Sequence, residues 1–156
     1  MHLSTIKVDV DGSPSGYVAW YNYYTESSRI RTVRPAIRND KFGVQRIEML
    51  AIYFGVLDNL HFRRSTPTIN ENIVIDVRSD SKSTIELLQG TSEVRDILLY
   101  RICAAIKKLL RMAYYTIFFN HLGRTRNIAG FLLEQRRRKE KELFILGEYA
   151  YTKALR

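Results

Sequence analysis

The apolar residues of this chain change their spacing once in the first third, and that change limits what it can fold into. Over residues 5–10, Ile6, Val8 and Val10 alternate with Lys7 and Asp9, the period of two of a half-buried strand. The strand runs into Asp11, Gly12, Ser13, Pro14, Ser15 and Gly16, a turn composition. Residues 17–24 and 29–37 are rich in aromatic and β-branched side chains, with Glu26, Ser27 and Ser28 between them, so the first three strands read as an antiparallel meander. From residue 44 to residue 60 the spacing becomes three and four, through Val44, Ile47, Leu50, Ala51, Phe54, Leu57 and Leu60. That is an amphipathic helix.

Past a polar stretch over residues 63–72, the run Ile73, Val74, Ile75 and Val77 suits a buried fourth strand that ends at Ser79, Asp80 and Ser81. A short helix over residues 81–89 closes at Gly90, and a longer one starts at Ser92 or Glu93 and reaches about Met112. Residues 114–119 read as a fifth strand, and a last helix begins near Ile128. The order β-β-β-α-β-α-α-β-α predicts an α/β fold, a mixed α+β sheet with helices packed on its faces. There is no internal repeat or linker, so residues 1–156 are expected to form one domain, with 135–156 as a basic C-terminal helical extension.

Composition narrows the partners. With 25 Lys and Arg against 16 Asp and Glu, the formal charge is +9, a field that favours nucleic acid first and an anionic membrane surface second. The apolar stretch over residues 96–120 is interrupted by Arg101, Lys107, Lys108 and Arg111, which excludes a membrane span there. Cys103 is the single cysteine, so neither an internal disulfide nor an all-cysteine metal site exists. Residues 1–20 lack a continuous apolar run. A soluble, cytoplasmic protein is the expectation.

Three carboxylates fall where chemistry concentrates. Asp11 ends strand one, Glu48 lies in the first turns of the first helix, and Asp80 ends strand four. If strands one and four are parallel neighbours, their carboxyl ends form the edge at which mixed α/β sheets bind ligands. Taken singly, Asp11 reads as a turn former, Glu48 as a solvated helix residue and Asp80 as a helix cap. Jointly, three acids converging in a basic chain call for a hard cation, Mg2+ or Mn2+.

The run Val8, Asp9, Val10, Asp11, Gly12, Ser13 resembles the strand-one "DGS" signature of type 1 ribonuclease H. Arg46, Ile47, Glu48, Met49 and Leu50 resemble that family's first-helix motif, and Val77, Arg78, Ser79, Asp80 and Ser81 its "TDS" strand end. Asn120, His121, Leu122 and Gly123 resemble the histidine and glycine of its last active-site loop. The resemblance implies a ribonuclease H-like fold with a five-stranded mixed sheet and a two-metal phosphodiester hydrolase site. It further implies an endonuclease that cuts the RNA strand of RNA–DNA hybrids. Asp11 would bridge the ions, Glu48 and Asp80 would hold the first, and His121, on a mobile loop, would assist proton transfer or product release.

The chain departs from that family at one place. A fourth carboxylate is expected after an alanine at the start of the last helix, but Ala129 is followed by Gly130 and Phe131. Glu134, one turn on, and Asp9, on the same face as Asp11 by strand alternation, are the candidate replacements. A rearranged four-carboxylate site, a working three-carboxylate site and a site too weak to catalyse all remain open. For nucleic acid, Arg124 and Arg126 beside His121, the helix cations Lys107, Lys108 and Arg111, and Arg136 and Arg137 in the basic run are the candidate contacts. The competing reading is a catalytically weak or inactive nucleic-acid-binding or assembly domain, and the same fold also admits a DNA nuclease or resolvase. A membrane-surface role rests on the charge of residues 136–141 alone. The apolar residues 143–146, with Tyr149 and Tyr151, are expected to dock back on the domain or to pair with a second copy in a homodimer.

Overall fold

A computed structural model describes residues 2–38, 40–60, 71–113 and 115–154, of which residues 2, 3, 38, 71, 72 and 149–154 are described by their backbone alone. The expected polar connection over residues 63–72 lies almost wholly outside the described residues. Five strands, β1 (His2–Ser13), β2 (Tyr17–Asn22), β3 (Ser27–Thr32), β4 (Glu71–Ser79) and β5 (Thr116–His121), form one sheet in the order β3-β2-β1-β4-β5. The first three make an antiparallel meander, while β4 runs parallel to both β1 and β5. Helices α1 (Pro35–Arg38), α2 (Gly43–Asn59), α3 (Lys82–Gln89), α4 (Ile97–Met112) and α5 (Ile128–Ala154) complete the fold, with a 3-10 turn at Arg124–Arg126.

The alternation in β1 assigns the two faces of the sheet. Ile6, Val8 and Val10, with Val18 and Trp20 from β2 and Ile75 and Val77 from β4, meet Ile47, Ala51, Ile52 and Val56 of α2 and Leu99, Cys103 and Ile106 of α4 in the main core. Among the described residues, the opposite face is covered over β1 and β2, where Ala129 and Leu133 of α5 pack on Ala19 and Tyr17. Among the described residues, no helix is long and apolar enough to cross a membrane.

Several boundaries differ from the expectation, and three of them bear on how the elements are placed. Strand three ends at Thr32 rather than at residue 37, and Pro35 opens the short α1, since proline suits the first position of a helix. The longer helix starts at Ile97 rather than at residue 92 or 93. Asp96 caps it, its carboxylate accepting from the Leu99 N–H at 2.9 Å while also holding Arg46, so the chain before it stays extended. The fifth strand is shifted to 116–121, which makes His121 its last residue rather than a loop residue. At the other end, Leu143, Phe144, Ile145 and Leu146 do not fold back. They stand 56–68% exposed on α5, so packing against a second copy rests on that exposure alone.

Two glycines let α2 approach β1 closely. A Cβ on Gly55 would lie 2.5 Å from Val10, and one on Gly12 would lie 2.5 Å from the Ile47 side chain and 2.8 Å from the Ile47 carbonyl oxygen. At Gly12 the obstacle includes backbone, so the helix itself must retreat. Gly12→Ala is therefore expected to destabilise the fold by about 1–3 kcal/mol, the usual cost of overpacking, read from the urea midpoint; an unchanged midpoint would show that α2 has slack at this contact.

Candidate metal centre

Register alone brings two of the three acids together. In the parallel pairing of β1 with β4 the last partners are Val10 and Ser79, so the next residue of each strand, Asp11 and Asp80, emerges at the same rim one strand spacing apart. The third comes from the Gly12 contact. Because α2 lies against Gly12 at Ile47, the following residue, Glu48, is delivered to that rim. One carboxylate oxygen from each of Asp11, Glu48 and Asp80 lies within 4.8 Å of the others. The span across one hard cation is about 4.2 Å for Mg2+ and about 4.8 Å for Ca2+, so the three fit a shared ion with little adjustment. A stronger indication is Glu48 Oε2, which is buried without a hydrogen-bond partner on a residue only 9% exposed. Orphaned buried acceptors are rare and costly, and a cation supplies the missing partner.

The carboxyl groups bear the marks of enforced proximity. Burial, then the neighbouring Asp80 charge, pushes the Asp11 carboxyl up to about 7. Burial, then the charges of Asp11 and Asp80, pushes Glu48 up to about 9. A metal-free centre thus retains protons at neutral pH that a bound cation would displace.

The two proposed replacement acids lie elsewhere. Asp9 is fully buried under the start of α5, where its oxygens accept from Arg78 Nε at 2.8 Å, the Tyr23 hydroxyl at 2.7 Å and the Ile128 N–H at 3.1 Å. Burial, with Asp9 as its acceptor, raises the Tyr23 phenol to about 12. Glu134 borders the same cavity as Asp11 but is held by Arg137 at 2.9 Å and Arg138 at 3.5 Å, and Arg137 keeps its carboxyl below the usual range. Neither joins the cluster of three.

His121 pairs in register with Ser79, one residue before Asp80, and its ring is exposed. Arg124 and Arg137 line the cavity beside Asp11, and Arg126 is exposed on the same 3-10 turn as Arg124. Arg136 lies over the Tyr17 ring and pairs with Glu140 at 3.2 Å. Lys107, Lys108 and Arg111 are exposed on α4, beginning 11 residues, about 16 Å, along the helix from Asp96. Since Asp96 is tied to Arg46 at the α2 N-terminus, those three cations form a surface away from the rim.

Sequence reasoning overlooked two positioning side chains. Arg46 is buried, with both guanidinium bonds to Asp96 at 2.7 Å, one to Asp40 at 2.9 Å and one to the Ile37 carbonyl at 3.1 Å, and so it fixes α2 two residues before Glu48. Asn127 donates to the Val10 carbonyl at 2.9 Å and accepts from the Gly130 N–H at 3.2 Å, tying α5 to β1 beside Asp11. An asparagine directly before an apolar helix start was the available signal for the second.

No known family model matches the sequence, and no curated protein matches it either. Solved structures do match. The ribonuclease H1 of Halobacterium salinarum superposes with a TM-score of 0.62 at 18% identity, over 81% of this chain and 91% of that one. LC11-RNase H1, solved with an RNA/DNA hybrid, gives 0.58 at 16% identity over 78% and 88%. The N-terminal RNase H domain of a Mycobacterium tuberculosis protein gives 0.57 at 14% identity over 86% and 99%. The chain has a ribonuclease H fold, in a divergent form.

Because the Asp11 and Glu48 carboxyls titrate higher in the folded chain than in the unfolded one, the native state binds more protons between about pH 4.5 and 9, and stability falls as pH rises through that window. Thermal melts in chelator should show the melting temperature declining from pH 5 to 9, with Asp11→Asn flattening the decline and melting higher than wild type at pH 8. A melting temperature that rises over this range would mean that the acids are not held in conflict.

Proposed function

We propose that this chain is a divalent-metal-dependent endonuclease that hydrolyses the RNA strand of RNA–DNA hybrids at the Asp11, Glu48 and Asp80 centre. The observation that carries the reading is the buried, unpartnered Glu48 Oε2 within reach of two other carboxylates at the rim of a ribonuclease H sheet. A binding surface in a chain of charge +9 has no use for three converging acids.

Asp11, Glu48 and Asp80 would hold Mg2+ or Mn2+, which supplies Lewis acidity and a competent nucleophile at neutral pH. The protein holds the three oxygens in place before substrate arrives, through the β1–β4 register and the α2 contact at Gly12. In the reaction a water oxygen bonds to phosphorus and gives up a proton, the ester P–O bond opposite it breaks, and the departing oxygen takes up a proton. His121 would manage that proton. Arg124 and Arg137, at the cavity beside Asp11, would make backbone contacts, with the exposed Arg126 and Arg136 adding to them, and Lys107, Lys108 and Arg111 would offer a second cationic surface. Discrimination of the hybrid would use its 2′-hydroxyls and groove shape. The reading is supported by the likeness to LC11-RNase H1, whose structure contains an RNA/DNA hybrid. It fits one intracellular domain with residues 135–156 as a basic extension, of which the described part, to Ala154, continues α5.

Gly130 favours a second reading, a nucleic-acid-binding domain that has lost catalysis, because no carboxylate stands at the start of α5. Purified protein with Mg2+ or Mn2+ should cut a labelled hybrid, and Asp11→Asn should slow the cutting by on the order of 100-fold or more. Binding without cleavage of hybrid, double-stranded and junction substrates under either metal would establish the second reading instead.

A further inference from the structure

The hydrolase reading leaves the number of ions at the centre to be argued, and the α5 side of Asp11 bears on it. The start of α5 is fastened to β1 at two points, the Ile128 N–H to Asp9 and Asn127 to the Val10 carbonyl, and Asn127 also accepts from the Gly130 N–H. This attachment brings position 130 so close that a Cβ there would lie 2.9 Å from Asp11 Oδ2. No side chain can leave position 130 without turning the Asp11 carboxylate, so this flank receives no acid from the helix start. The next acid along α5, Glu134, is paired with Arg137 and Arg138. What the flank does hold is a cavity of about 520 Å³ bordered by Asp11, Ser13, Thr125, Arg124 and Arg137. The Arg124 side chain has no hydrogen-bond or ion-pair partner among the described residues.

We propose that the centre holds a single divalent cation, on Asp11, Glu48 and Asp80, and that Arg124 and Arg137 bind the phosphodiester on the α5 flank of Asp11, in place of a second cation. The proposal rests on the hydrolase reading and narrows it. A second divalent ion on this flank would have, as carboxylates, the remaining oxygen of Asp11 and Glu134, whose Oε1 is already engaged by Arg137 and Arg138, and it would face two guanidinium groups across an open cavity. An anionic phosphodiester meets the opposite situation. Each planar guanidinium offers paired N–H donors that match two phosphate oxygens, and Ser13 and Thr125 add hydroxyls at the cavity wall. Glu134 then has a defined part. It holds Arg137 on the cavity side of α5 and is itself no metal ligand.

The test uses full-length protein with Mn2+ and a hybrid whose RNA strand carries methylene-phosphonate linkages, which keep both non-bridging oxygens and resist hydrolysis. Low-temperature electron paramagnetic resonance, with an ion count per chain, should show one tightly held, magnetically isolated Mn2+, with or without the hybrid. Two ions on a shared carboxylate sit about 3.5–4 Å apart and give an exchange-coupled signal. That signal would overturn the single-ion proposal while leaving the hydrolase reading intact, whereas no tightly held ion at all would overturn both. Glu134→Gln should leave the count at one, and loss of the ion in that variant would overturn the assignment of its role. The double variant Arg124→Ala, Arg137→Ala should bind the uncleavable hybrid about tenfold or more weakly, with a salt dependence shallower by about one unit of slope per lost phosphate contact. Its Mn2+ affinity without hybrid should be unchanged. Hybrid affinity and salt slope equal to those of the wild type would overturn the arginine half of the proposal.

Discussion

Mutual repulsion among Asp11, Glu48 and Asp80 is the interaction around which the rest of the molecule is arranged. Left to themselves, three carboxylates at this separation would move apart or stay protonated, and burial, with the neighbouring charges added to it, raises the carboxyls of Asp11 and Glu48. What holds them is backbone. The β1–β4 pairing fixes two of them by register, and the seating of α2 on Gly12 fixes the third. Each constraint is tied to the main core, through Val8, Val10, Val77 and Ile47, so the acids cannot relax without a cost in packing.

A second layer of polar ties aims these elements. Arg46 locks the start of α2 to the cap of α4, and that contact pulls the Asp96 carboxyl down to about 2. Asp9 performs the equivalent task on the other face. It satisfies Arg78 of β4, Tyr23 and the first N–H of α5 at once, so a fully buried charge becomes the joint between sheet and helix. Charged residues next to the three acids in sequence thus serve as fixings, while Glu48 Oε2 is left without a partner among the described residues.

Much of this was legible from the chain alone, and the division follows the range of the forces involved. The change of hydrophobic period located the meander and α2, because burial on one face writes itself into local spacing. Asp11, Glu48 and Asp80 were recognisable as a group because each stands at the end or beginning of such an element. Boundaries set by contacts distant in sequence were not legible. Asp96 begins α4 while bonded to Arg46, 50 residues earlier, and nothing near residues 92–96 announces that bond. Asp9 shows the same limit. Strand alternation correctly gave it the face of Asp11, but only the arrival of α5, 119 residues later, reveals that its oxygens are already taken. Gly130 read as a missing acid, whereas in three dimensions it is also the space into which Asp11 fits.

The length of α5 has a geometric consequence of its own. The helix is bound to the sheet at its first turn and again where the Tyr17 hydroxyl donates to Glu140, so its bearing is fixed over that distance. From Gly130 to Leu143 is 13 residues, about 20 Å of helix, or about six base-pair steps of a duplex. Any surface that gripped the exposed Leu143 and Phe144 would therefore stand at a set offset from Asp11, and the helix would act as a ruler between that surface and the rim of the sheet.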